Sequence, residues 1–261
     1  MQFIITPSQN SDVQECLDAG MRCFFVDLEI GRTSTGDVTN PPHGFEDCHK
    51  IRSCSNAMEI FLRPDGEELR RNPNYLGKVI AAKPDYVFYP NAEDISEVRS
   101  LSSTIAASGA KFVAMIETQQ GLDALSDILA IDTVGAAYMG LHDFSKSMGC
   151  QYVFEPILQG CLDQLASGAR QAGKPFGFTS ISLALTDEMI TSLIKEHARL
   201  GSTMTLASVS RLRAIGRPSL QQALTELSKL YRDAKLQDPL AQDMEYRNLV
   251  ALLNNAQKSA A

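Results

Sequence analysis

The stretch KFVAMIETQQGLDALSDILAIDTVGAAYMG, residues 111–140, holds two short apolar runs with an amphipathic segment between them. Lys111–Ile116 and Val134–Met139 are almost continuously apolar and too short for buried helices, which is the pattern of parallel strands covered on both faces. Between them Thr118 can cap a helix that buries Leu122, Leu125, Ile128 and Leu129 on one side. Working outward, similar runs stand at Phe3–Thr6, Cys23–Leu28, Met58–Leu62, Tyr86–Tyr89, Pro175–Thr179 and Thr203–Ala207. Helical patterns over 92–107, 154–172 and 187–200 run out near Gly109, Gly173 and Gly201. Strands alternating with helices in this way predict an α/β chain folded as a (β/α)8 TIM barrel. An open doubly wound sheet is the competing arrangement, but no Gly-x-Gly-x-x-Gly follows a strand.

Length and composition agree with one large domain. The chain has 261 residues, 44% hydrophobic and 21% charged, which excludes disordered and collagen-like classes. The barrel is expected over 1–217. An extra helical extension is expected over 218–261, where Leu220, Ala223, Leu224, Leu227 and Tyr231 form one stripe and Leu249, Val250, Leu252 and Leu253 a second, with Asp238-Pro239 breaking between them. These stripes either cover their own barrel or dock on a neighbouring subunit. The net charge of −7 and the lack of a basic block argue against nucleic acid and anionic membranes as partners. The N-terminus reads as no signal peptide, and six scattered cysteines without a Cys-x-x-Cys pair read as reduced thiols, so a cytoplasmic location is expected. Cys48, His49 and Cys54 do not have a usual zinc spacing.

In such a barrel the chemistry sits at the C-terminal ends of the strands. The second run ends Val26-Asp27-Leu28-Glu29, the third Phe61-Leu62-Arg63-Pro64, the fifth Met115-Ile116-Glu117-Thr118, and the sixth leads into Gly140-Leu141-His142-Asp143. Carboxylates from neighbouring strands with open coordination positions suit a hard divalent cation. Each also has a structural reading: Glu117 can pair with Arg63, Asp143 can cap the turn after the sixth strand, and Asp27 can accept from backbone amides inside the barrel, the role favoured for it. His43 and His49 follow a long polar loop at 30–42, and a solvated role is expected for both. His197, late in a helix, is placed where its positive charge suits the helix dipole.

Ile116-Glu117-Thr118-x-x-Gly121 followed by Met139-Gly140-Leu141-His142-Asp143-Phe144-Ser145-x-Ser147-x-Gly149 resembles the paired signature of the HpcH/HpaI aldolase and citrate lyase β-subunit family. The likeness extends over roughly residues 3–212, and Glu196-His197-x-Arg199-Leu200-Gly201-Ser202-Thr203-Met204 is similar to a subgroup found with surface-polysaccharide genes. The resemblance implies a metal-dependent class II aldolase that makes or breaks a carbon–carbon bond through a pyruvate enolate. Its substrates would be a 2-keto-3-deoxy (sugar) acid, or the 2-keto acid and aldehyde that form it. Glu117 and Asp143 would ligate Mg2+ or Mn2+, Arg63 would meet the keto oxygen, and the backbone of Gly140 and Leu141 would hold the substrate carboxylate. Glu29 and Arg32 are assigned to substrate binding, Arg32 toward a carboxylate or phosphate on the aldehyde half. The chain departs from the family at Ile30, where a histidine or an acidic residue is usual. The proton carrier is therefore open, with His142 as the catalytic candidate. An acyl-CoA lyase of the malyl or citryl type and a non-catalytic binding barrel are the competing readings. Assembly as a homo-oligomer, a hexamer or trimer, is the family's implication for the C-terminal helices.

Overall fold

The computed structural model describes residues 1–7, 10–29, 43–55, 57–181 and 185–260. Strands β1 (Gln2–Thr6), β2 (Cys23–Asp27), β3 (Glu59–Arg63), β4 (Tyr86–Tyr89), β5 (Lys111–Ile116), β6 (Val134–Met139), β7 (Phe176–Phe178) and β8 (Met204–Ser208) pair in parallel, each with the next, and β8 pairs with β1 to close the barrel. The (β/α)8 expectation is met, and every strand lies within two residues of its predicted run.

The helices are α1 (Asn10–Asp18), α2 (Phe45–Cys54), α3 (Gly66–Arg71), α4 (Tyr75–Ala81), α5 (Ile95–Ala107), α6 (Gln119–Asp123) and α7 (Leu125–Leu129) in the first half. The second half adds α8 (Leu141–Ser147), α9 (Glu155–Leu158), α10 (Cys161–Gln171), α11 (Asp187–Leu200), α12 (Val209–Ala214), α13 (Leu220–Lys235) and α14 (Pro239–Ala260). Two expected helices are broken. Thr118 does cap α6, its hydroxyl accepting the Gly121 N–H at 3.0 Å, but the helix divides at Ala124. The 154–172 segment divides at Gly160, whose φ of 77° is a left-handed conformation that glycine adopts without a Cβ clash.

Because side chains alternate along a strand, every second residue faces the barrel interior. Ile4, Phe25, Phe61, Phe88, Val113, Met115, Tyr138 and Met204 form a separate interior cluster. Their neighbours Ile5, Phe24, Val26, Ile60, Leu62, Ala114 and Met139 join the larger layer under the helices. The interior is aromatic at mid-height, with Phe88 meeting Phe25 at 5.4 Å, Phe61 at 5.8 Å and Tyr138 at 5.3 Å between ring centroids. One step further along the same inward rows come Asp27, Arg63 and Glu117, and β2 pairs with β3 in a register that sets Asp27 beside Arg63. The alternation that builds the apolar plug thus also carries three charged residues onto its upper surface.

α13 packs against α11, α1 and α12, and α14 packs on α11, so both C-terminal helices cover their own barrel. Leu249 and Leu253 of α14 are fully buried, Lys195 of α11 bonds Glu245 at 2.7 Å, and Arg199 lies over the Tyr246 ring. Leu236, Leu240 and Met244 remain exposed, at 85%, 71% and 59%. No helix among the described residues is long and apolar enough to cross a membrane, and all six cysteines are free thiols.

Candidate active site

The site is organised around Arg63, buried at the C-terminal end of β3. Its Nε donates to Asp27 Oδ1 at 2.9 Å and its Nη2 to Asp27 Oδ2 at 2.7 Å, a bidentate pair that fixes the plane of the guanidinium. Glu29 Oε2 lies 3.6 Å from Nε, while Glu117 Oε1 and Asp143 Oδ2 lie 3.6 and 3.8 Å from Nη1. One guanidinium thus faces four carboxyl groups drawn from β2, the turn after it, the end of β5 and the first turn of α8.

Backbone groups hold three of these carboxyls. The Glu29 N–H donates to Asp27 Oδ1 at 3.0 Å, the Gly66 N–H to Glu29 Oε1 at 3.0 Å, and the Asn91 N–H to Glu117 Oε2 at 3.0 Å. Asn91 reaches Glu117 from a φ of 49°, a left-handed conformation that asparagine tolerates better than most residues. The other oxygen, Glu117 Oε1, is buried without a hydrogen-bond partner. Gly140 leaves room for it, since a Cβ there would stand 2.7 Å from Glu117 Oε1. Asp143 is the most open of the four, its side chain 26% exposed.

The aromatic plug beneath makes this a place of low dielectric. Burial pushes the Glu117 carboxyl up to about 8; the Arg63 guanidinium and the Asn91 N–H oppose the shift, and the Asp143 carboxylate adds to it. Glu29 is also raised, chiefly by burial, with Arg63 and the Gly66 N–H pulling the other way. Burial works against the charge of Arg63, but Asp27, Glu117 and Glu29 more than offset it and hold its pKa above the ordinary value. The arrangement is a fixed cation beside an acidic pair, Glu117 and Asp143, that is incompletely neutralised. Among the described residues no three His, Cys, Asp or Glu side chains are grouped to hold a metal ion. The donor set of this pair is therefore two hard oxygens. Together with the unpartnered Glu117 Oε1 and the space over Gly140, it fits a hard divalent cation completed by water or substrate oxygens.

The structure brings together Glu29, Arg63, Glu117 and Asp143, with Gly140 against Glu117, while Leu141 is the buried first residue of α8. The hydrogen-bonded partner of Arg63 is Asp27, and Glu117 also makes the ion pair read for it, at 3.6 Å and without a hydrogen bond. Asp27 does accept a backbone amide, but it pairs with Arg63 as well. His142, the second residue of α8, is exposed, and His49 on α2 is exposed too. Arg32 and Ile30 lie outside the described residues.

Two histidines differ from expectation. His197 is fully buried, stacked on Phe178 at 3.6 Å, with Nδ1 2.7 Å from Ser202 Oγ. Burial, with the N-terminal amino group nearby, holds its pKa well below 6.5, so it is a neutral core residue and no charged partner of the helix dipole. His43 is partly buried at the barrel mouth: the Asp27 N–H donates to its Nδ1 at 3.0 Å, and its Nε2 lies 3.0 Å from the Pro7 carbonyl oxygen. The expected solvated role is replaced by a link between β2 and the end of β1. Asn91 and Gly66 were legible only as turn residues, in Tyr89-Pro90-Asn91 and Pro64-Asp65-Gly66, because what their amides bond is remote in sequence.

A family model described as HpcH/HpaI aldolase/citrate lyase matches residues 46–207, which takes in β3 to β7 and most of β8 and leaves β1 and β2 outside. Among solved structures, the chain is similar to an HpcH/HpaI aldolase/citrate lyase family protein from Burkholderia cenocepacia J2315, with a TM-score of 0.63 at 16% identity over 87% of this chain and 94% of that one. It is similar to the citrate lyase β subunit from M. tuberculosis complexed with oxaloacetate and magnesium, with a TM-score of 0.60 at 15% identity over 88% and 96%. It is likewise similar to protein CitE from Mycobacterium tuberculosis in complex with magnesium and pyruvate, with a TM-score of 0.63 at 14% identity over 96% and 97%. No curated protein matches the chain by sequence.

Proposed function

The chain belongs to the HpcH/HpaI aldolase/citrate lyase family, and on that premise we propose that it is a metal-dependent carbon–carbon lyase acting next to a pyruvate-type enolate, with a 2-keto-3-deoxy (sugar) acid as substrate. The observation that carries the reading is the buried Arg63 guanidinium beside the Glu117–Asp143 pair, of which Glu117 Oε1 has no hydrogen-bond partner. The magnesium and pyruvate bound by the similar CitE protein support it.

In this reading Glu117 and Asp143 hold the cation, Mg2+ or Mn2+. Bound there, it supplies Lewis-acid polarisation of the carbonyl group. Arg63 donates to the keto oxygen, where charge develops as the carbon–carbon bond breaks; the pair with Asp27 holds it in place beforehand, so little reorganisation accompanies the reaction. The backbone of Gly140 and Leu141 receives the substrate carboxylate. Glu29 faces the substrate from the turn after β2, Arg32 takes the aldehyde end, and His142, next to Asp143, carries the proton. The reading extends to a homo-oligomer in a reducing compartment, supported by the exposed Leu236, Leu240 and Met244 and by the six free thiols.

The deciding experiment is hydrogen–deuterium exchange at the methyl group of pyruvate in D2O, followed by NMR with Mg2+ or Mn2+ and again with EDTA. It needs no knowledge of the aldehyde, because enolisation is the half-reaction common to pyruvate lyases. Metal-dependent exchange is expected, and its absence at every metal tested would overturn the reading. A second reading, an acyl-CoA lyase, is favoured by the similar CitE structure that holds magnesium, acetoacetate and coenzyme A. Retention on a CoA resin, released by free CoA, is the result expected of that alternative and not of the aldolase.

A further inference from the structure

β2 carries Asp27, and Asp27 orients Arg63, so whatever holds the end of β2 holds the guanidinium. On one side that end is tied to β3 by the Leu28 N–H donating to the Arg63 carbonyl oxygen at 2.9 Å. On the other side β1 and β2 pair in register at Ile5 and Phe24, well below the mouth. At the mouth the connection passes through an imidazole. The Asp27 N–H can only donate, so His43 Nδ1 is the acceptor at 3.0 Å and carries no proton. The proton is then on Nε2, which donates to the Pro7 carbonyl oxygen at 3.0 Å. Without His43 the Asp27 amide, at a buried residue, would lose its partner, a loss that a backbone relieves by moving.

We propose that His43 is a positioning residue for Arg63: as a neutral Nε2–H imidazole inserted between β1 and β2, it holds the Asp27 backbone so that the Asp27 carboxylate presents the guanidinium to the reaction centre. The proposal rests on the reading of Arg63 as the group that meets the enolate. It also shows how a chain with Ile30 in place of the family's usual histidine or acidic residue still places an imidazole at the end of β2, in a structural rather than a proton-carrying role. His43 has both ring nitrogens engaged and acts through Asp27.

The test compares the full-length variants His43→Ala, His43→Asn and His43→Gln. Asparagine puts an acceptor where Nδ1 stands; glutamine puts its amide donor toward the Pro7 oxygen, at the place of Nε2, and has no acceptor at the Nδ1 position for the Asp27 N–H. Two readouts are taken. The first is the Arg63 Nε–H resonance in 15N NMR, assigned with Arg63→Lys, which needs no activity. It is expected to shift in the alanine and glutamine variants and to return toward its wild-type position in His43→Asn. The second is metal-dependent deuterium exchange into pyruvate, where the alanine and glutamine variants should lose roughly tenfold in kcat with KM little changed, and asparagine should recover most of the loss. An Arg63 resonance unmoved in His43→Gln, or imidazole 15N shifts that place the proton on Nδ1, would overturn the proposal. If His43→Ala fails to fold, the asparagine–glutamine contrast still decides. Absence of exchange in the wild-type enzyme would overturn the functional reading alone, with the NMR arm still deciding the role of His43.

Discussion

Arg63 and Asp143 share one guanidinium contact but should respond differently to substitution. Asp143→Asn removes half of the oxygen pair that fits a cation and leaves the buried Arg63–Asp27 link intact. Isothermal titration with Mn2+ should therefore show at least a tenfold loss of affinity with an unchanged circular dichroism spectrum; undiminished binding would remove Asp143 from the ligand set. Arg63→Ala should abolish enolisation while Mn2+ still binds. It also strands Asp27 without its buried partner, so a stability loss of about 3 kcal/mol is expected in chemical denaturation. His197 sets up a pH effect of defined sign. Its folded-state pKa lies well below 6.5, so as pH falls below 6.5 the unfolded chain binds a proton that the folded chain refuses. Stability attributable to neutral His197 is present above that value and is lost on acidification. His197→Asn should be less stable than wild type at pH 8, and the gap in Tm should narrow toward pH 5; a constant gap would show that the ring titrates normally in the fold. This burial was not legible in Glu196-His197-x-Arg199, because a helix end says nothing about what packs on it, and here the ring meets Phe178, from the strand before its own helix.

Elements are legible in the sequence where one periodicity runs unopposed. The ends of the apolar runs are plain in the sequence, so Asp27 and Arg63 are legible as residues at the barrel mouth; that they continue the inward rows of Phe25 and Phe61 is seen only in the fold, because both faces of these strands are apolar. Breaks within helices were less visible. The run after β5 keeps one apolar face across Ala124, where the helix is interrupted without a glycine or proline at that position to signal it. The C-terminal stripes were clear, but which surface covers them is a matter of packing. α14 rests on α11 through Leu249 and Leu253, both fully buried. Leu253→Ala should cost about 2–4 kcal/mol in urea unfolding. A cost below 1 kcal/mol would mean that α14 does not rest on this barrel in solution. Leu236, Leu240 and Met244 are exposed and so lie apart from that face, and light scattering of Leu240→Glu against wild type reports whether Leu240 joins subunits.

For the molecule as a whole, a ligand that binds only the closed barrel raises its stability in proportion to the logarithm of its concentration. Mg2+ or Mn2+ at a hundredfold excess over Kd should contribute ~2.7 kcal/mol, a rise of several degrees in Tm, reversed by EDTA and missing in Asp143→Asn. An unchanged Tm in both proteins would show that the barrel holds no cation. That the chain closes as an eight-stranded barrel with charged residues at the strand ends could be derived from order along the sequence, since the strand–helix repeat is local and depends on hydrophobic burial alone. The bidentate hold of Asp27 on Arg63, the unpartnered oxygen of Glu117, the imidazole of His43 at the Asp27 amide and the neutral His197 could not. Each depends on distances between residues far apart in the chain and on how much water the closed barrel excludes, and both exist only once the strands have met.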